Sequence, residues 1–243
     1  MLTRLAAVLL LAAGTLAIPG TSSAVAPQTH IIEKRVIGHT VQGRKIVAWR
    51  IGNPSSTRKV VLIGAIHGDE FGPSRILLNL RDGPAIRGAD IWVIPRLNND
   101  GVAHHTRLNA YGVNLNRNFP VHWAPLNGAS ESGPRPASEP ETRALMAFMR
   151  EIRPTFVVSF HQPLHGVGMD RKGVPFQKRL ARGLHLPRHP FNCNSACHGT
   201  FTEWFNKLFS GTAITVEYGA HLTRTQVNRT GPTGLLSSVG ASR

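Results

Sequence analysis

The residues best suited to chemistry in this 243-residue chain are two histidines and two glutamates placed at the ends of apolar runs. His67 and Glu70 lie in Gly64-Ala65-Ile66-His67-Gly68-Asp69-Glu70, where the apolar stretch 59–66 ends. A turn at Gly68 lets an imidazole nitrogen and a carboxylate converge on one divalent cation. His161 follows a second apolar stretch, 155–160, and supplies a third ligand from another strand end. Three protein ligands with one open position are what catalytic zinc requires. His165 is the rival ligand, but Pro163 and Gly166 argue against the helix that would align it with His161. Glu217 follows the stretch 212–216 and precedes Tyr218-Gly219. A carboxylate beside a metal-activated water can take its proton and return it to a leaving amine, the general base and acid of metal-assisted hydrolysis. Singly, each feature has an ordinary explanation: a surface hydrogen bond for His-x-x-Glu, a rim carboxylate paired with an arginine for Glu217.

A fourth group lies in the loop segment 107–120, which carries Arg107 and the pair Asn116-Arg117. One guanidinium can grip a substrate carboxylate through its planar fork, and another can stabilise an oxyanion. In a basic chain the bland alternative is a solvated surface pair.

Elements must bring these groups together. Residues 30–40 and 44–51 are rich in β-branched side chains and are separated by Val41-Gln42-Gly43, so they read as an antiparallel pair at a sheet edge. The run 59–66 suits a strand buried on both faces, helical spacing follows over 73–80, and a second buried strand covers 90–95. Residues 97–135 are rich in Asn, Gly, Pro and His with little periodicity, and irregular segments of that length are uncommon unless they have a function. Ser138-Glu139-Pro140-Glu141 reads as a helix start, with Leu145, Phe148, Met149 and Ile152 on one face. A strand at 155–160, helices at 174–184 and 199–209, and a strand at 212–216 continue the alternation. The class is α/β, a single domain with a mixed, mostly parallel central sheet flanked by helices. In such sheets ligands bind beyond the carboxyl ends of the strands, where the four polar groups fall. The domain is expected to span 27–225, with 226–243 a loose C-terminal tail.

Residues 1–26 open with Met1-Leu2-Thr3-Arg4, continue as an apolar run over 5–18 and end in Ala24-Val25-Ala26, the plan of a secretory signal peptide. The apolar run falls short of the roughly 20 residues that span a bilayer. The expectation is an exported protein, secreted, periplasmic or wall-associated, without a transmembrane segment after cleavage. Export makes a disulfide between the two cysteines, Cys193 and Cys197, the favoured reading over two thiols or half a metal site. The formal charge is +15, from 28 Lys and Arg against 13 Asp and Glu. The basic residues are scattered and match no nucleic-acid motif, so nucleic acid is not an expected partner. An anionic surface such as a wall polymer fits an exported cation better; a merely soluble basic surface is the alternative.

His-x-x-Glu, then an arginine, Asn-Arg, a strand-end His and a late Glu together resemble the zinc carboxypeptidases of peptidase family M14 over roughly residues 59–219. The stretches 112–120, 132–141 and 211–219 are similar to small bacterial members of the murein peptide amidase type. The resemblance implies one zinc ion held by His67, Glu70 and His161, with Glu217 as general base and Arg107 as the oxyanion cation. It implies that Asn116 and Arg117 hold the substrate's terminal carboxylate. It further implies a peptide substrate with a free carboxylate, drawn from peptidoglycan stem peptides. Glu203 is a candidate to meet an amino group on the released residue. Two departures stand out. Family members commonly carry Asp where this chain has Asn114, and neither Tyr111 nor Tyr218 matches the tyrosine that covers the substrate in larger members. An ordinary protein carboxypeptidase, an N-acyl amino acid deacylase and a wall-binding protein without turnover remain the competing readings.

Overall fold

A computed structural model describes residues 30–193 and 196–243; the expected signal peptide lies outside the described residues. β1 (Ile31–His39) and β2 (Lys45–Gly52) form the antiparallel edge pair. They are followed by β3 (Lys59–Ile63), α1 (Ser74–Asp82), β4 (Asp90–Ile94) and α2 (Asn99–His104). After a long irregular stretch come α3 (Pro140–Ile152), β5 (Phe156–His161), β6 (Gly166–Gly168), α4 (Val174–Leu184) and β7 (Arg188–His189). α5 (Phe201–Leu208), β8 (Thr212–Glu217) and α6 (Gly231–Ser238) complete the chain.

The eight strands make one sheet in the order β1-β2-β4-β3-β5-β8-β6-β7. β4, β3, β5 and β8 run parallel at its centre, while β2 and β6 pair antiparallel at the flanks. Alternate residues serve opposite cores, as the period of two requires. Val60, Leu62, Val158, Ile214 and Val216 pack towards α1, α4 and α6. Val61, Ile63, Val157 and Ala213 pack towards α3 and α5 with Phe148, Trp204 and Phe205. The chain leaves β3 for β4 on one side and returns to β5 on the other, so the crossovers diverge between β3 and β5. That divergence is where open α/β sheets form their crevice.

Two expectations are corrected. The first buried strand ends at Ile63 rather than at residue 66. Ala65 has φ 48, and the loop brings Gly68 so close to Gly101 that a Cβ on it would lie 2.0 Å from the Gly101 carbonyl carbon. The segment from 226 onward is no loose tail. A π-helical turn at Gln226–Thr230 leads into α6, whose Leu235 and Leu236 are buried with Val239 against α4 and α1. Each such leucine contributes about 1.5–3 kcal/mol. Backbone contact decides this packing. Gly234 and Gly183 approach so closely that a Cβ on Gly234 would sit 1.9 Å from the Gly183 oxygen, so a Gly- and Ser-rich sequence that reads as loose is the one able to dock.

Candidate metal and peptide site

His67, Glu70 and His161 meet at the divergence point. One ligand atom from each lies within 4.8 Å of the others, and all three residues are buried. His67 Nδ1 is 2.9 Å from Glu70 Oε1 and His161 Nδ1 is 2.8 Å from Glu70 Oε2. Both Nε2 atoms point away from the centre, 3.0 Å from Asn114 Oδ1 and 3.0 Å from Ser159 Oγ respectively. The orientation of Asn114 is set by its other bonds, since Oδ1 accepts from Asn116 N and Nδ2 donates to the Ala129 carbonyl. His67 must therefore donate through Nε2, which leaves Nδ1 as a lone-pair donor. That Nδ1 is buried and makes no well-directed hydrogen bond despite its closeness to Glu70. A buried orphan nitrogen beside a carboxylate and a second imidazole fits a zinc site with Nδ1, Nδ1 and carboxylate ligands. The bonds at Nε2 are the outer partners that such ligands use to hold their orientation.

The electrostatics agree. Burial pushes the His67 pKa down to about 4, so the imidazole stays neutral. Burial opposes ionisation of Glu70, but His161 and His67 outweigh it and hold the carboxyl well below the usual range. Arg107 adds a bond from Nη1 to Glu70 Oε1 at 2.6 Å.

Glu217 ends β8 in register with His161 on the adjacent parallel strand. Its Oε2 accepts from Leu164 N at 3.3 Å, and burial raises its pKa against the pull of His161. His161 thus lies inside its strand, one residue further than the apolar run indicates. His165 is exposed on the loop with φ 53 and takes no part in the cluster.

Arg117 sits in a 3-10 turn at Leu115–Arg117 and is buried. Burial and the nearby Arg107 lower its pKa to about 10. Its Nη1 donates to the Asn116 carbonyl at 2.7 Å, its Nε has no partner, and among the described residues no carboxylate lies within 4.0 Å of it. A buried guanidinium without a counter-ion is costly unless an anion arrives. Asn116 turns its Oδ1 to Phe201 N, which fixes the turn to the start of α5. His67, His161, Glu217, Arg107, Asn116 and Arg117 all line one cavity of about 480 Å³.

A family model described as zinc carboxypeptidase matches residues 23–166, more than half of the chain. The chain belongs to the zinc carboxypeptidase family. As a member of that family it is a hydrolase acting on peptide bonds. Murein peptide amidase A of Escherichia coli strain K12 is 34% identical over 167 residues, covering 62% of this chain and 67% of the relative. The amidase of the same name from Vibrio campbellii is 31% identical over 185 residues, covering 70% and 73%. The crystal structure of murein-tripeptide amidase from Escherichia coli O157 superposes with a TM-score of 0.69 at 27% identity, covering 86% of this chain and 92% of that one.

His161 and Glu217 close adjacent parallel strands, and His67 and Glu70 lie on the loop after β3. Three further features emerge from the structure. Ser159 supports His161 from two residues earlier on the same strand face, a spacing of two that was available in the sequence. Gln162 accepts from Gly72 N and donates to the Gly219 and Ala220 carbonyls, joining the loops after β3, β5 and β8. Glu139 and Glu141 do not cap α3; their carboxylates turn instead to Asn109. Cys193 and Cys197 are disulfide-bonded, with Cα atoms 5.1 Å apart, in the cavity wall. Tyr111 is exposed and Tyr218 is buried; neither lines the cavity.

Proposed function

We propose that the protein is an exported, zinc-dependent hydrolase that cleaves the amide bond next to a free carboxylate in peptidoglycan stem peptides. The observation that carries this reading is Arg117, a buried cation without an anion, in the same cavity as the His67, Glu70 and His161 cluster and Glu217. Similarity to amidases named for murein peptides supports the substrate class. The signal-like residues 1–26 and the +15 charge support export and an affinity for anionic wall polymer. No helix among the described residues is long and apolar enough to cross a membrane.

Zinc held by His67, Glu70 and His161 would supply a Lewis acid that polarises the scissile carbonyl and lowers the pKa of water to about 7. The remaining roles belong to the chain. Arg117 and Asn116 bind the terminal carboxylate and so fix which amide bond reaches the centre. Glu217 takes the proton of the attacking water and passes it to the departing amine; burial has already made it a better base. Arg107, one-third exposed at the cavity edge, offers positive charge to the oxygen that becomes anionic. Glu203 lines the far wall, with one carboxylate oxygen bonded to His122 and the other without a partner. That oxygen suits an amino group on the released residue.

Mass analysis of products from a panel of wall tripeptides, tetrapeptides and plain peptides tests the proposal. Release of the carboxylate-bearing residue from wall tripeptide, abolished by blocking its carboxylate as an amide, is the expected result. Turnover of plain peptides with wall peptides untouched would overturn the substrate assignment.

A further inference from the structure

The arginine segment has no strand to hold it, yet it must place two guanidinium groups on one cavity. Arg107 is anchored by itself. Its Nη1 bonds to Glu70, and its carbonyl accepts from Gly68 N and Asn98 Nδ2, both at 3.4 Å. Arg117 is tied to the metal side at one remove, through Asn114, whose Oδ1 accepts from Asn116 N and from His67 Nε2. Between the two arginines lies the turn 109–113, and Asn109 uses nearly every polar atom it has to make it. Asn109 N donates to the Val113 carbonyl, and its own carbonyl accepts from Gly112 N. Its Oδ1 accepts from Tyr111 N at 3.1 Å and from Val113 N at 3.0 Å.

The other end of the side chain faces outward from the turn. Nδ2 donates to Glu139 Oε2 at 2.7 Å and to Glu141 Oε2 at 3.2 Å. Glu141 is held by Val41 N and Glu139 by Ser138 Oγ. Both carboxylates are buried, and among the described residues neither has a cation within 4.0 Å. Two buried acids sharing one neutral amide is an expensive arrangement, and its geometric result is to pin the turn to the start of α3. Asn109 does not line the cavity, so its effect on chemistry can only be indirect.

We propose that Asn109, clamped between Glu139 and Glu141, is the positioning residue that sets Arg117 at its working distance from Arg107. The proposal takes the role of Arg117 from the proposed function, and its test has one arm that does not. Asn109→Asp in the zinc-loaded protein turns a third carboxylate on the first two. Hydrogen exchange of the amides in 109–117 should then speed up, while the 67–70 amides keep their protection. With the wall tripeptide as substrate, KM should rise about 10-fold or more, as a displaced binding group predicts, while kcat falls by much less. The double variant Asn109→Asp with Glu139→Gln exchanges acid and amide across the shorter contact and returns the cluster to two carboxylates and one amide, so it should recover part of both readouts. If Asn109→Asp does not fold, Asn109→Ser, whose hydroxyl cannot reach both carboxylates, takes its place. Unchanged exchange in 109–117, or a loss of activity that follows the folded fraction with KM constant, would overturn the proposal. If wild type leaves the tripeptide intact, the functional reading fails and the exchange arm still decides the role of Asn109.

Discussion

The two halves of the cavity are built on opposite plans. The metal side stands on three parallel strands: His67 just beyond β3, His161 at the end of β5 and Glu217 beside it at the end of β8. The substrate side stands on an irregular stretch, with Arg107 and Arg117 joined by turns that Asn109, Asn114 and Asn118 tie down through side-chain bonds. The first plan uses ladder geometry that any apolar strand supplies. The second replaces it with amide side chains, which offer a donor and an acceptor together and so can satisfy a backbone that has no regular partner. Chemistry that tolerates little displacement sits on the strands. The groups proposed to select the substrate sit on loops, where binding residues concentrate.

The comparison predicts where damage is largest. Glu217→Gln keeps the shape of the strand end and removes the base, so kcat should fall about 1,000-fold or more while zinc content stays at one ion per chain. Turnover within tenfold of wild type, measured on metal-analysed protein, would remove Glu217 from the mechanism. On the other side, Arg117→Met deletes a charge-assisted grip on the carboxylate without touching a strand. KM should rise about 10- to 100-fold, the equivalent of a bond to a charged group of roughly 1.5–3 kcal/mol, with kcat little changed. A fall in kcat with constant KM would mean that Arg117 serves the reaction rather than recognition, and the division between the halves would collapse.

What was legible in the sequence follows the same division. Apolar runs announced β3, β5 and β8, and a polar residue at the end of such a run has only one place to go, the crevice beyond the sheet. His161 and Glu217 could therefore be assigned together although 56 positions separate them, and their pairing in register is the reason. The irregular segment was legible only through resemblance, because nothing periodic distinguishes Arg117 from any other arginine of a basic chain. Glu139 and Glu141 marked the start of α3 correctly, but nothing in their spacing showed that the carboxylates bond to Asn109 across the chain. The C-terminal segment was misleading for a physical reason. Glycines that lower helix propensity are the residues that let α6 touch α4 backbone to backbone.

The pH dependence of the metal-free protein sharpens the metal side further. His67 titrates near 4 when folded and near 6.5 when unfolded. Between those values the unfolded chain binds the extra proton, so stability is complete above about pH 6.5 and is lost as pH falls towards about 4. Glu70, held below its ordinary range, adds loss in the same direction at still lower pH, because it too is protonated first in the unfolded chain. Urea unfolding of chelator-treated protein should show a loss on the order of 2 kcal/mol across that window. Burial raises the pKa of Glu141 and of Glu217, which act in the opposite direction, so the His67 contribution is read as the difference from His67→Gln; identical profiles for the two proteins would mean that His67 is not buried and neutral.

The smallest effect tests the joint between the halves. Asn114 belongs to the irregular segment yet its Oδ1 accepts a hydrogen bond from His67 Nε2, so it is where substrate side and metal side are coupled. Asn114→Asp would put a carboxylate behind the imidazole and make His67 a more basic ligand, which by itself raises zinc affinity, about 10-fold at the low end for such partners. The same change removes the donor from Asn114 Nδ2 to the Ala129 carbonyl and buries a charge, costing the metal-free protein about 1–3 kcal/mol. Zinc competition and unfolding of the apo-protein separate the two effects: tighter zinc with a weaker apo-fold is the expected pair. Weaker zinc with a weaker apo-fold would show that the Ala129 bond, and through it the irregular segment, sets the ring of His67. The metal side would then depend on the loops, and the strands alone would not account for it.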